Sequence, residues 1–324
     1  MTYVDEWAAE HMYLPPAIST DPGPYLVQRT PYAREPMRCL SMDHPCKRVV
    51  VMAATQLMKT QVAVNWLGSL VDESPSNILV FLPSRHHARR MARRINGCFT
   101  ASPILRERWP RRGDPCEKSY EGGSLRLISA SSLAFESFPA DYVCAEQIDH
   151  WPLDTEFDID LVEAAERCHD TSIMRPKFYF SGVPTVKSTS RIDVLFSKSD
   201  QRHYYVPCSH CSHMQTLDWE RLQYSSDFHQ VHYSCFRPDC GAAIEEEHLG
   251  DMLAKGEWRS HADGDGETVG FHLNALYAPT GWWGWGRLAK QYEHAKEEQL
   301  HGDPSIMRMF YNVFLAKVWD DTGE

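Results

Sequence analysis

Ten cysteines occur in this sequence of 324 residues, and four of them stand as two close pairs, Cys208-x2-Cys211 and Cys235-x4-Cys240. Two such knuckles, separated by a short stretch of β character, supply four soft thiolate ligands. Tetrahedral Zn²⁺ takes that set with no position left open. A site closed in this way is structural, so the pairs predict a zinc ribbon with no catalytic role. The competing reading is free thiols grouped by coincidence. His203, His210 and His213 stand close by as spare donors, although four cysteines suffice. Cys39, Cys46, Cys98, Cys116, Cys144 and Cys168 are scattered and read as buried or incidental thiols.

A second constellation is Ala53-Ala54-Thr55-Gln56-Leu57-Met58-Lys59-Thr60. A phosphate-binding loop needs a turn between strand and helix, backbone N–H groups at the helix N-terminus, a lysine for the β- and γ-phosphates and a hydroxyl for Mg²⁺. Lys59 and Thr60 supply the last two. The usual glycines are absent, so on spacing alone the pair reads first as an ordinary helix start. Tyr142-Val143-Cys144-Ala145 shifts that balance, because it is an apolar strand that runs into Glu146-Gln147-Ile148-Asp149. Nucleotide hydrolysis needs an acid at a strand end for the Mg²⁺ water shell and a neighbouring group at the attacking water. Glu146 suits the first task. Gln147 can orient a water but cannot take its proton. Asp149 reads either as a supporting carboxylate or as a helix cap.

The elements that would position these residues follow from apolar runs. Val49–Met52, Ile78–Leu82, Leu125–Ile128, Tyr142–Ala145 and Lys177–Phe180 have strand length, and the first two are followed by helical patterns over Thr60–Val71 and His86–Asn96. Apolar strands alternating with helices predict an α/β fold, a mostly parallel sheet with helices on both faces. Residues 1–45, rich in proline and aromatics, read as an extended lead-in. The Cys/His-rich stretch 203–247 reads as an inserted module. After it, Gly270–Tyr277 reads as a strand, and helices are predicted over Arg287–Gln299 and Pro304–Phe314. The basic stretch Arg85 to Arg94 spaces arginines four apart and stripes a helix, either as a DNA or subunit contact or as a solvated face. Trp282-Trp283-Gly284-Trp285 reads as core or interface packing ahead of base stacking, and His272 as a satisfied core histidine.

With 43% apolar and 24% charged residues the composition is that of an ordinary globular chain. A net charge of −11 excludes a generally sticky nucleic-acid coat, so any DNA contact must be local. No apolar run is long enough to span a membrane, and the acidic, aromatic start MTYVDEW lacks the basic region of a signal peptide. A cytoplasmic protein without a membrane partner is the expectation.

Taken in order, these segments resemble the large-subunit terminases of lambda-like phages over nearly the whole chain. Arg29 to Pro36 resembles the family's segment ahead of the first strand, near the nucleotide base. Val51-Met52 with Gln56-Leu57 and Lys59-Thr60 resembles its phosphate loop, and Leu82-Pro83-Ser84 the next strand end. Gly122 to Leu125 and Ser131-Ser132-Leu133 precede the Mg²⁺ strand. Pro184-Thr185 with Ser188 to Ile192 resembles the segment that couples hydrolysis to DNA movement. The ribbon, Gly270 to Tyr277, and Phe310-Tyr311-Asn312 with Trp319 follow.

The resemblance implies a P-loop ATPase core over residues 1–202, a zinc-ribbon insertion over 203–247 and the rest of the ATPase domain over 248–324. It also implies that the family's C-terminal nuclease is absent from this chain. It further implies an ATP-driven motor that moves double-stranded DNA into a procapsid in the host cytoplasm. The motor would be a homo-oligomeric ring working with a portal protein and the terminase small subunit. Lys59 and Thr60 would hold ATP and Mg²⁺, with Gln56 and Thr185 lining the nucleotide. Glu146 and Gln147 would be the catalytic pair, completed by an arginine from a neighbouring subunit, for which the Arg85–Arg94 helix is one source.

Three residues depart from the family pattern, which has glycine at 58, aspartate at 146 and glutamate at 147. Either hydrolysis is impaired, or Gln147 traps nucleotide. The rival readings are a non-catalytic DNA- or capsid-docking module on a degenerate ATPase scaffold, and a zinc-ribbon helicase-like protein, which the lack of a second RecA-like repeat weakens.

Overall fold

The structure, a computed structural model, describes residues 2–130, 138–152 and 160–320. Its centre is a sheet of ten strands among the described residues. The elements that build the sheet and frame its edge are, in chain order, α1 (Val4–His11), α2 (Arg34–Leu40), β1 (Arg48–Ala53), α3 (Lys59–Glu73), β2 (Asn77–Leu82), α4 (Arg85–Ala101), β3 (Glu117–Tyr120), β4 (Gly123–Ser129), β5 (Tyr142–Glu146), β6 (Phe178–Gly182), α5 (Arg191–Lys198), β7 (Arg202–Pro207), β8 (Met214–Gln215), β9 (Glu257–Arg259), β10 (Thr268–Leu273) and α6 (Trp285–Leu300), with shorter helices and strands between them. Across the sheet the strands run β8-β7-β10-β1-β6-β5-β2-β4-β3, with β9 on β7. From β7 to β4 every pairing is parallel, and β3, β8 and β9 are antiparallel additions at the margins. The mostly parallel α/β architecture is therefore as the sequence predicts.

The apolar runs form these strands because both faces of the sheet are covered. Along β1, Val49, Val51 and Ala53 point into the layer formed with α1 to α4, and Val50 and Met52 point into the opposite layer with Phe81, Phe180, Ile192 and Phe196. Full burial of such a side chain contributes about 1.5–3 kcal/mol, so a central strand needs no polar face. In α4, Ala88, Met91, Ala92, Ile95, Cys98 and Phe99 form the buried stripe, while Arg85, Arg89, Arg90 and Arg93 face outward. Ser84 caps this helix by accepting the His87 N–H.

Residues 1–45 differ from the extended lead-in expected of them. They contain α1 and α2, and α1 docks on α3 through the fully buried Trp7, whose indole N–H donates to Asp72 Oδ2 at 2.9 Å. Gly68 makes this crossing possible, since a Cβ there would lie 2.6 Å from the Trp7 ring. The helical spacing is too short and too interrupted by prolines to be read alone.

The expected module boundary at 202/203 falls at the start of β7, a strand of the central sheet paired with β10. The cysteine-rich stretch is therefore rooted in the sheet. Beyond β8 it adds a small antiparallel sheet of Leu222–Tyr224, Val231–Ser234 and Ala243–Glu245. The helix expected over 304–314 divides into an α-helical turn, Ser305–Met309, and a π-helical stretch, Phe310–Phe314. Ser131-Ser132-Leu133 lie outside the described residues.

Candidate functional site

The parallel strands end on one edge of the sheet, the edge at which α/β folds place ligands. Ala53, Leu82, Glu146, Gly182 and Leu273 close β1, β2, β5, β6 and β10 there. Lys59 begins α3, and its Nζ donates to the carbonyls of Ala53 and, at 2.6 Å, Ala54. Burial pulls the Lys59 ammonium down to about 7, against the opposing attraction of Glu146. Thr60 Oγ1 donates to Glu146 Oε2 at 3.1 Å across 86 positions of sequence. The other carboxylate oxygen, Oε1, is enclosed and has no partner. Burial raises the Glu146 carboxyl above its usual range, opposed by the Thr60 hydrogen bond, Lys59 and Arg94. Tyr179, from β6, donates its hydroxyl to the Lys59 carbonyl at 2.8 Å and fixes the start of α3 from below.

The structure thus brings Lys59, Thr60 and Glu146 together at one strand edge. A hydroxyl bonded to a buried carboxylate whose second oxygen is unsatisfied is a donor set that Mg²⁺ and its waters fit. Met58 is 3% exposed and packed in the apolar core. Gln147 follows Glu146 in left-handed backbone (φ 54°), half-buried, and its side chain has no hydrogen bond among the described residues.

Asp149 does not cap the turn that follows β5. It accepts from Thr185 Oγ1 at 3.0 Å, Ser190 Oγ at 2.6 Å and the Ile192 N–H at 2.7 Å, so it fastens the end of β5 to the segment after β6. Arg191 tightens the same junction through the carbonyls of Ile148, Trp151 and Pro152. Thr185 is held from its other side, where its carbonyl accepts from the Asn312 amide and the Trp319 N–H, both at 2.9 Å.

The C-terminal stretch also supports the loop itself. The Ala54 N–H donates to Leu273 and the Thr55 N–H to Val313, and the Trp283 indole N–H donates to Gln56 Oε1 at 3.2 Å. Sequence reasoning did not find Trp283 or Val313, since they lie more than two hundred residues from the loop and no local pattern joins them. Trp285, by contrast, is core, fully buried with its indole N–H on the Leu276 carbonyl. His272 is the satisfied histidine expected, its Nε2 3.1 Å from the Ala316 carbonyl, and burial pulls its pKa down to about 4.

On α4, Arg94 turns inward and donates to Gln61 Oε1 at 2.8 Å, beside Thr60. Arg85, Arg89, Arg90 and Arg93 form no ion pair among the described residues. No helix of the described residues is long and apolar enough to cross a membrane.

At the other end of β7, the sulfurs of Cys208, Cys211, Cys235 and Cys240 all lie within 4.8 Å of one another, with Cys211 and Cys235 3.8 Å apart. Zn–S bonds of about 2.3 Å place tetrahedral sulfurs ~3.8 Å apart, so the cluster fits a four-sulfur metal site. Each knuckle closes the same way. The residue after its second cysteine, Ser212 (φ 60°) or Gly241 (φ 52°), is left-handed, and its N–H bonds back to Cys208 or Arg237. The spare histidines His203, His210 and His213 are not among the four donors.

Comparison with known proteins gives the family and the fold. Residues 19–258 match the family model described as phage terminase large subunit gpA, ATPase domain, and residues 268–324 match that of the terminase large subunit gpA endonuclease domain. The second match covers β10 and the stretch that supports the phosphate loop, where the sequence reading expected the rest of the ATPase domain and no nuclease. The large terminase subunit of Enterobacteria phage P21 is 20% identical over 98% of this chain and 52% of its own length. The chain therefore spans about half the length of that curated relative. Among solved structures, the large terminase of bacteriophage HK97 superposes with a TM-score of 0.62 at 10% identity, over 98% of this chain and 55% of that one. The large terminase ATPase domain of Thermus phage P74-26 gives 0.49 at 12% identity, over 91% and 94%. The chain belongs to the phage terminase large subunit gpA family, and Lys59, Thr60, Glu146 and the four clustered cysteines all lie within the stretch that the family's ATPase-domain model matches.

Proposed function

We propose that this chain is the ATP-hydrolysing part of a motor that drives double-stranded DNA into a procapsid. It would act in the host cytoplasm as a homo-oligomeric ring with a portal protein and the terminase small subunit. The observation that carries the ATPase reading is the Thr60–Glu146 hydrogen bond beside Lys59 at the sheet edge. Lys59 binds the β- and γ-phosphates, and Gln56 and the loop N–H groups line them. Thr60 and Glu146 hold Mg²⁺ and its waters. When bound, the ion offsets charge on the phosphate oxygens. Thr185, fixed between Asp149 and Asn312, passes movement at the end of β5 to the C-terminal stretch. Residues 268–324 complete the ATPase core, and Zn²⁺ at Cys208, Cys211, Cys235 and Cys240 holds the ribbon.

Gln147 makes hydrolysis slow. It stands where a base would take the proton of the attacking water, and an amide cannot accept it. The burial of Met58 directs the impairment to Gln147 instead of the loop. Binding and turnover of Mg-ATP on the purified chain, with and without double-stranded DNA, test the proposal. Folded protein that binds no nucleotide rejects it. Protein that binds ATP but never turns it over, even assembled on DNA with Gln147 replaced by Glu, is a docking module instead.

A further inference from the structure

Gln56 adopts φ 57° in a loop without glycine. A left-handed residue within a turn lets the N–H groups that follow it face one concave side, a geometry that receives phosphate oxygens. Glycine takes that conformation freely, whereas glutamine holds it only where contacts compensate. The Gln56 side chain is exposed, and its carbonyl oxygen accepts the Trp283 indole N–H at 3.2 Å. Trp283 is itself fixed. The Phe314 ring meets it at 5.0 Å and 63°, and the Arg287 guanidinium lies 4.0 Å above its centroid. Val313, next to Phe314, accepts the Thr55 N–H at 3.0 Å, so one wall holds two consecutive loop residues. The wall is anchored in turn by Trp285, whose backbone N–H donates to Glu246 Oε2 at 3.1 Å at the base of the ribbon.

We infer that Trp283 is a positioning residue of the nucleotide site. Its indole N–H clamps Gln56 and keeps the loop in the left-handed turn that a nucleoside diphosphate's phosphates require. This rests on residues 53–60 being the phosphate loop. In this role Trp283 acts through the backbone of Gln56.

The test is a cycle of Mg-ADP affinities, measured by titration calorimetry on the full chain. Trp283→Phe keeps a ring between Phe314 and Arg287 but removes the donor. It weakens binding about two- to tenfold, the worth of one hydrogen bond. Gln56→Leu removes the acceptor and weakens binding similarly, and the two changes together do no more than either alone. In a Gln56→Gly background, where the backbone needs no clamp, Trp283→Phe has no further effect. An unchanged affinity in both Trp283→Phe and Gln56→Leu overturns the inference. So does an equal weakening by Trp283→Phe in the native and the Gln56→Gly backgrounds, because that marks disturbed packing. If Trp283→Phe does not fold, Trp283→Leu replaces it in both the native and the Gln56→Gly backgrounds, with the same outcomes. A folded wild-type chain that binds no Mg-ADP rejects the phosphate-loop reading and this inference with it, a result distinct from wild-type binding that is insensitive to the clamp.

Discussion

Under the proposed function, Gln147 is the residue on which catalysis would turn. Positioned acid–base groups contribute about 10²–10⁴-fold in rate, so Gln147→Glu is expected to raise ATP turnover by up to that factor. It should leave nucleotide affinity nearly unchanged, because in that role the residue would act on water and not on phosphate. Single-turnover rates beside binding constants separate the two. Lys59→Ala has the opposite signature, weakened binding. Lys59 also makes a prediction about pH. Its ammonium is lowered to about 7, so between there and its ordinary value near 10.5 the ligand-free lysine has largely given up its proton. A phosphate beside it favours the charged form. Nucleotide binding at pH 8 should therefore take up a proton, and affinity should fall as pH rises through 7. Calorimetry in buffers of different ionisation enthalpy reads the uptake directly, and Lys59→Ala should abolish it. Uptake that persists in that variant would assign the proton elsewhere.

Among the elements, α4 presents the exposed basic face whose partner is open to test. Its buried stripe fixes which face turns outward, and that face presents Arg85, Arg89, Arg90 and Arg93 in a chain whose net charge is −11. If this face follows a phosphate backbone, affinity for double-stranded DNA should be independent of sequence and fall steeply with salt. Arg89→Ala with Arg93→Ala should then reduce the salt slope by roughly 2, since each phosphate contact contributes ~0.9. A slope left unchanged while the protein stays folded means that the helix faces solvent or a neighbouring subunit. Arg94 belongs to a different role on the same helix. It points at Gln61 beside Thr60, so its substitution should change nucleotide affinity more than DNA affinity.

For the whole molecule the question is how independent the ribbon is. Elemental analysis should find one Zn²⁺ per chain, and none in a variant lacking the four cysteines. Cys211→Ala should unfold the knuckles and the small sheet, because metal binding supplies much of such a module's folding free energy. The attachment predicts how far the damage spreads. Leu217 is held between the Tyr277 hydroxyl and the Asn274 amide, and β7 pairs with β10. Hydrogen exchange should therefore quicken in the ribbon and along β7, while β1, β6, β5 and β2 keep their protection. Exchange confined to the knuckles would mean that the root is stable without metal.

The sequence determined what is local. Strands covered on both faces are apolar throughout, so β1, β2, β5 and β6 could be read from their runs alone. The cysteine pairs carry their chemistry in their spacing, and Lys59-Thr60 and Glu146 sit next to the strands that aim them. What lies between distant segments was decided only by the fold. Whether Glu146 reaches Thr60, how Met58 packs, what Asp149 holds and why Trp283 matters to Gln56 all depend on contacts across 36 to 227 positions, or on the packing of a side chain into a layer that no window of sequence contains. The N-terminal helices belong to the same class. Both are too short to stand alone, and α1 is held because Trp7 finds Asp72 and the space above Gly68, a partner that exists only in the folded chain.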